Sequence, residues 1–154
     1  MNLVKVNSSL VAFALLCFSC AMADASAVQD SCRTTGDYPT VYFSVVNDAP
    51  QPVCQVTLFP YEAECLLVDC AAPDGWSCFP GNVTTFWIAD SNDACIPVGG
   101  SRGFRIQTLS VFCCYGMNLF GGDGTHLGSK DVCFDCHTIG VEPRTWGHVK
   151  ALFD

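Results

Sequence analysis

Short apolar runs separated by turn residues recur along the whole chain, at 41–46, 53–59, 65–68, 84–89, 104–107, 109–115 and 149–153. Most are only a few residues long and are rich in Val, Phe, Tyr, Thr and Trp, the residues that suit a pleated, half-buried surface. The segments between them, such as Asn47-Asp48-Ala49-Pro50, Ala72-Pro73-Asp74-Gly75 and Gly121-Gly122-Asp123-Gly124, carry turn chemistry. No long window of helical periodicity stands out, apart from a short turn near the C-terminus. The pattern predicts an all-β domain, a β-sandwich or small barrel. One change of phase adds detail. Phe104-Arg105-Ile106-Gln107 alternates apolar with polar, and from Leu109 the pattern restarts out of step, so a turn or bulge belongs near Thr108.

The N-terminus follows another logic. Lys5 precedes an apolar run at 10–21, and Ala21-Met22-Ala23 closes it with a small-residue cleavage pattern. Residues 1–23 therefore read as a signal peptide, with an alternative end at residue 27 after Ala25-Ser26-Ala27, and 24–154 as a single cysteine-rich domain. The run is shorter than the roughly 20 residues of a membrane span. Export without a membrane anchor is the expectation, and the mature protein is expected to be extracellular.

That expectation changes the meaning of the cysteines. Of twelve, Cys17 and Cys20 leave with the signal. The remaining ten are Cys32, Cys54, Cys65, Cys70, Cys78, Cys95, Cys113, Cys114, Cys133 and Cys136, an even set that reads as five disulfides. Their connectivity stays open, with one restriction. Cys113 and Cys114 sit in a strand-like run, where neighbouring side chains point to opposite faces, so each takes a different partner.

Fifteen acids against seven bases give a formal charge of −8. Such a balance repels phosphate backbones and anionic lipid surfaces, which argues against nucleic-acid or membrane partners.

Several motifs could carry chemistry, and each meets a physical objection. Cys133-Phe134-Asp135-Cys136-His137 matches the haem-attachment pattern, but attachment needs reduced thiols; zinc or dithiol redox chemistry at the same residues competes with oxidation. Gly99-Gly100-Ser101-Arg102-Gly103 matches G-x-S-x-G, with Asp131 and His148 following in hydrolase order. A nucleophile elbow needs a strand before the serine and a helix after it, and a β-pattern follows here. His126, His137 and His148 are scattered. Glu62 and Glu64 share a face if they lie on a strand, without a visible sugar cleft. Asn92-Asp93-Ala94-Cys95-Ile96-Pro97 does not complete a calcium-binding run of the crystallin kind. No catalytic residue, metal site or cofactor is therefore assigned. Asn82-Val83-Thr84 is a glycosylation sequon in a turn, and Trp76, Trp87 and Trp146 are either core aromatics or sugar-stacking platforms.

Residues 100–136 resemble the Greek-key signature of βγ-crystallin-type modules through Gly103-Phe104-Arg105-Ile106, Val111-Phe112 to Tyr115, and Asn118-Leu119-Phe120-Gly121-Gly122. Trp76-Ser77-Cys78 with Thr85-Phe86-Trp87-Ile88 is faintly similar to the β-barrel allergens and elicitors of Alternaria type. The whole layout is similar to that of small cysteine-rich secreted proteins of plant-associated fungi. That resemblance implies an effector or elicitor that acts on an unknown host or extracellular protein by binding, not by catalysis. An inhibitor of secreted hydrolases or a small antimicrobial toxin is the alternative, and a small secreted hydrolase the third.

Overall fold

The computed structural model of the chain describes residues 26–34, 36–81 and 83–137. They form two antiparallel sheets packed face to face, a β-sandwich and not a closed barrel. One sheet holds four strands in the order β1 (Ser26–Arg33), β2 (Thr40–Val46), β7 (Ser101–Thr108) and β4 (Leu67–Ala71). The other holds five, in the order β5 (Trp76–Phe79), β6 (Thr85–Ala89), β3 (Gln55–Pro60), β8 (Phe112–Phe120) and β9 (His126–Asp135). The connections β1–β2, β5–β6 and β8–β9 stay within a sheet, and every other connection between the described strands crosses between the sheets.

Alternation decides what faces inward. Val41, Phe43 and Val45 of β2, Phe104 and Ile106 of β7, Val56 and Leu58 of β3, and Tyr115, Met117 and Leu119 of β8 are all buried. Between the sheets runs a chain of aromatic contacts. Tyr115 meets Phe134 (ring centroids 5.8 Å apart), Phe134 meets Phe43 (5.0 Å), Phe43 meets Phe104 (5.8 Å), and Phe104 meets both Trp87 (5.5 Å) and Trp76 (5.3 Å). Such pairs add roughly 0.5–1.5 kcal/mol each beyond the area they bury. Both indoles also donate to backbone carbonyls, Trp76 to Ala94 and Trp87 to Ala71. These two tryptophans are core residues and not sugar platforms.

The sequence-based elements hold for β2, β3 and β6, and β7 ends at Thr108, where the phase change requires a turn. Two assignments need correction. The run at 65–68 is divided between a 3-10 turn at Ala63–Cys65 and the start of β4, and the run at 109–115 splits because β8 begins at Phe112. The strands β1, β5 and β9 were not anticipated. The run at 149–153 and the signal segment lie outside the described residues.

Five disulfides join the ten cysteines, and their places explain how the sandwich is held. An open sandwich has two seams where the edge strands of its sheets lie side by side. Cys32–Cys136 closes the seam between β1 and the end of β9, and Cys70–Cys78 closes the one between β4 and β5. Cys65–Cys113 pins the 3-10 turn to β8 inside the core, and Cys54–Cys95 ties the entry to β3 to the loop before β7. Cys114–Cys133 links directly opposed residues of β8 and β9. Cys113 thus points inward and Cys114 outward, each to its own partner, as alternation demands.

Side chains finish what the bridges begin. Gln29 donates from Nε2 to the Asp135 carbonyl and accepts at Oε1 from the Asp135 N–H, both at 2.8 Å, so an amide occupies an edge position of β9. Asn47 is fully buried. Its Nδ2 donates to the carbonyls of Gln51 (3.0 Å) and Ile96 (2.9 Å), and its Oδ1 accepts from the Ala49 N–H (2.9 Å). Its backbone bonds Gly99 and Gly100, so one residue fixes its own β2–β3 loop to the loop before β7 at one end of the sandwich.

Candidate recognition face

With the inner faces buried, function falls to the two outer faces and the loops. On the outer face of the four-stranded sheet most polar side chains pair with one another, although Arg105 Nε has no hydrogen-bond partner among the described residues. Arg105 and Asp69 form an ion pair at 2.8 Å, the Arg33 guanidinium lies 5.6 Å from the Tyr42 ring centre, the Ser44 hydroxyl donates to Asp30, and Gln107 donates to Thr40. A shallow groove of about 450 Å³ crosses this face beside Tyr42 and Arg105.

The five-stranded sheet presents a different surface. Its strand register places side chains in rows across the sheet. Phe79 is opposite Phe86, Phe86 opposite Thr57, Thr57 opposite Asn118, and Asn118 opposite Ser129. A second row runs Ser77, Ile88, Gln55 and Phe120, and a third pairs Phe59 with Gly116 and Asp131. Phe79 and Phe86 stack at 5.1 Å, with Phe79 still 45% exposed. Phe59 meets Tyr61 edge-on at 5.8 Å, and Tyr61 is 52% exposed. The outer surface of this sheet therefore combines outward aromatic side chains with polar groups beside them.

Polar groups on the β9 side form two small networks. The Tyr61 hydroxyl donates to Asp131 in a short hydrogen bond that, together with the nearby carboxylate charge, raises the Tyr61 pKa. The Ser129 hydroxyl donates to Asn118 Oδ1 at 2.5 Å and lies 2.8 Å from His126 Nε2. At the end of β9, Asp135 accepts from the backbone and ring nitrogens of His137, which holds its pKa below the usual carboxylate value.

The remaining sequence candidates are dispersed. Cys133 and Cys136 bond to different partners, so the C-x-x-C-H pattern has no dithiol. Ser101 begins β7 in the four-stranded sheet, after a turn that needs Gly99 at φ +73, whereas Asp131 lies on β9 of the other sheet; no helix follows the serine. Glu62 and Glu64 lie at an exposed 3-10 turn and not on a strand. Asn92 and Asp93 belong to a second such turn. Asn82, Trp146 and His148 lie outside the described residues. Among the described residues no cluster of His, Cys, Asp or Glu is placed to hold a metal, and no helix is long and apolar enough to cross a membrane.

No protein-family model matches the chain, and a search of curated proteins finds no match. Among solved structures, an uncharacterized protein from Nocardia farcinica with an immunoglobulin-like fold is similar over 72% of this chain and 97% of its own, at 12% identity and a TM-score of 0.50. A cohesin module from a Clostridium perfringens family 33 glycoside hydrolase is similar over 73% of this chain and 96% of its own, at 14% identity and a TM-score of 0.47. The likeness is one of fold alone. The chain is a disulfide-stapled sandwich with immunoglobulin-like neighbours, and five disulfides suit an oxidising, extracellular setting. Sequence reasoning missed the aromatic face because Thr85-Phe86-Trp87-Ile88 is continuously apolar, and only the register separates buried Trp87 from outward Phe86 and Ile88.

Proposed function

We propose that the chain is a secreted recognition protein of the effector or elicitor kind, made by a plant-associated fungus, that binds a host or extracellular partner through the outer face of its five-stranded sheet. The observation that carries this reading is the row of outward aromatic residues, led by Phe79 and Phe86, on a sheet whose neighbours are riveted by disulfides. Rigid aromatic side chains give large contact area for little loss of side-chain freedom, and a stapled scaffold loses little order on binding. The secretory signal and the cysteine layout support export and the fungal assignment. No catalytic role is proposed for Ser101, Asp131 or His148.

The test is a pull-down of oxidised, secreted protein against plant extracellular and cytosolic fractions, run beside Phe79→Ser and, on the opposite sheet, Tyr42→Ser. A partner retained by wild type and Tyr42→Ser but lost with folded Phe79→Ser is the expected result. A partner lost with Tyr42→Ser and kept by Phe79→Ser would move recognition to the other sheet and refute this reading.

A further inference from the structure

We propose that the groove on this face between Phe59 and β9 is a binding site for a neutral saccharide, an inference that rests on the recognition reading above and gives that face a ligand class. The groove encloses about 560 Å³, within the roughly 300–1,000 Å³ of small-ligand sites. Its floor exists because residue 116 is glycine. A Cβ there would fall 1.9 Å from Phe59 Cζ and 2.3 Å from its Cε2, so the missing side chain lets the Phe59 ring lie across the sheet. Tyr61 stands nearly perpendicular to that ring, at 84°, and walls one side.

The polar rim supplies both kinds of hydrogen-bonding group. Asn118 uses its oxygen to accept from Ser129, which leaves the two donors of its amide nitrogen without a partner among the described residues. Asp131, engaged by one phenol, keeps acceptor capacity for hydroxyl groups. A sugar ring combines an apolar C–H face with a rim of hydroxyls that both donate and accept, so it matches an aromatic floor with an amide and a carboxylate beside it.

Charge and desolvation exclude the competitors. An anionic ligand would meet Asp131 in a protein of formal charge −8, in a groove whose other charged lining residue, Lys130, balances only that one carboxylate. A purely apolar ligand would strip water from Asn118 and Asp131 without returning hydrogen bonds.

The experiment is calorimetric titration of the oxidised protein with cellohexaose, laminarihexaose and chitohexaose, each also titrated into Asn118→Ala, Gly116→Ala and Tyr42→Ser. At least one hexaose is expected to bind wild type and Tyr42→Ser alike. Asn118→Ala, at a half-buried rim position, should weaken it about tenfold, the worth of one good hydrogen bond. Gly116→Ala keeps every polar group but drives Phe59 off the sheet and should abolish binding, with thermal midpoints confirming that the variants are folded. No binding of any hexaose at millimolar concentration, or binding that survives both groove substitutions, overturns the saccharide assignment. A protein partner captured through Phe79 in the absence of sugar binding would refute this assignment while leaving the recognition reading intact.

Discussion

Replacing Asn47 by alanine should be among the most damaging single changes outside the cysteines. The side chain is fully buried and makes hydrogen bonds to Gln51, Ile96 and Ala49. At a net value of about 1 kcal/mol each, their loss costs about 3 kcal/mol. The partners fare differently. The Ile96 carbonyl keeps the Val53 N–H at 3.0 Å, whereas the Ala49 N–H, in a fully buried residue, is left without an acceptor and adds a further desolvation penalty. A lower bound of about 3 kcal/mol corresponds to a fall in thermal midpoint on the order of 12 °C for a domain of this size. The Cys54–Cys95 bridge, beside the Val53–Ile96 pairing, keeps the loops from separating, so the fold should survive with lowered stability. Differential scanning calorimetry of the oxidised variant, with intact mass confirming five bridges, measures the effect. A loss below about 1 kcal/mol would refute the assignment of Asn47 as the residue that holds the two loops together.

Other consequences follow from single features. Thr85 is fully buried with a hydroxyl that has no hydrogen-bond partner among the described residues, so Thr85→Val should raise stability by about 1 kcal/mol in urea unfolding, and a loss would reveal a hidden partner for the hydroxyl. Removing Cys65–Cys113, whose residues are 48 apart, should cost about 4 kcal/mol, and removing Cys70–Cys78, 8 apart, about 2.5 kcal/mol, each measured on the double alanine variant; the reverse order would contradict the chain-entropy view. The raised pKa of Tyr61 means that its bond to Asp131 contributes fully below the ordinary tyrosine value of about 10 and is lost as pH rises through the folded value. The depressed pKa of Asp135 works in the opposite sense, contributing above about pH 4 and failing as pH falls through its lower folded value. Ultraviolet titration of Tyr61→Phe against wild type should remove one late-titrating phenol; an unchanged curve would contradict the Tyr61–Asp131 contact.

What the sequence makes legible follows from what periodicity can encode. The runs over β2, β3 and β6 are apolar enough to be read directly, and the phase break at Thr108 marks a true strand end. Strand β9 escapes because, of its ten residues, only Val132 and Phe134 are buried, so an edge strand with a polar outer side shows little alternation. Strand β1 is similarly polar and carries a bulge between Gln29 and Ser31. Cysteine count and the divergence of Cys113 and Cys114 are local properties, and both are readable. The pairing itself is not, because closing a seam between β1 and β9 depends on how distant strands meet. Asn47 illustrates the same limit: its turn-forming character is visible, but its burial depends on Ile96 and Gly100 arriving from elsewhere in the chain. The aromatic outer face is hidden for that reason too, since Phe59 and Gly116 become a unit only through the register of β3 with β8.

Infiltration of oxidised, secreted protein into leaves, with the oxidative burst as readout, tests recognition by a folded face most directly. Wild type and Ser101→Ala should evoke equal responses, whereas a Phe79→Ser and Tyr61→Ala double variant with an unchanged thermal midpoint should evoke none. A silent but fully folded Ser101→Ala protein, or a face variant as active as wild type, would contradict the proposal that this sandwich works by being recognised.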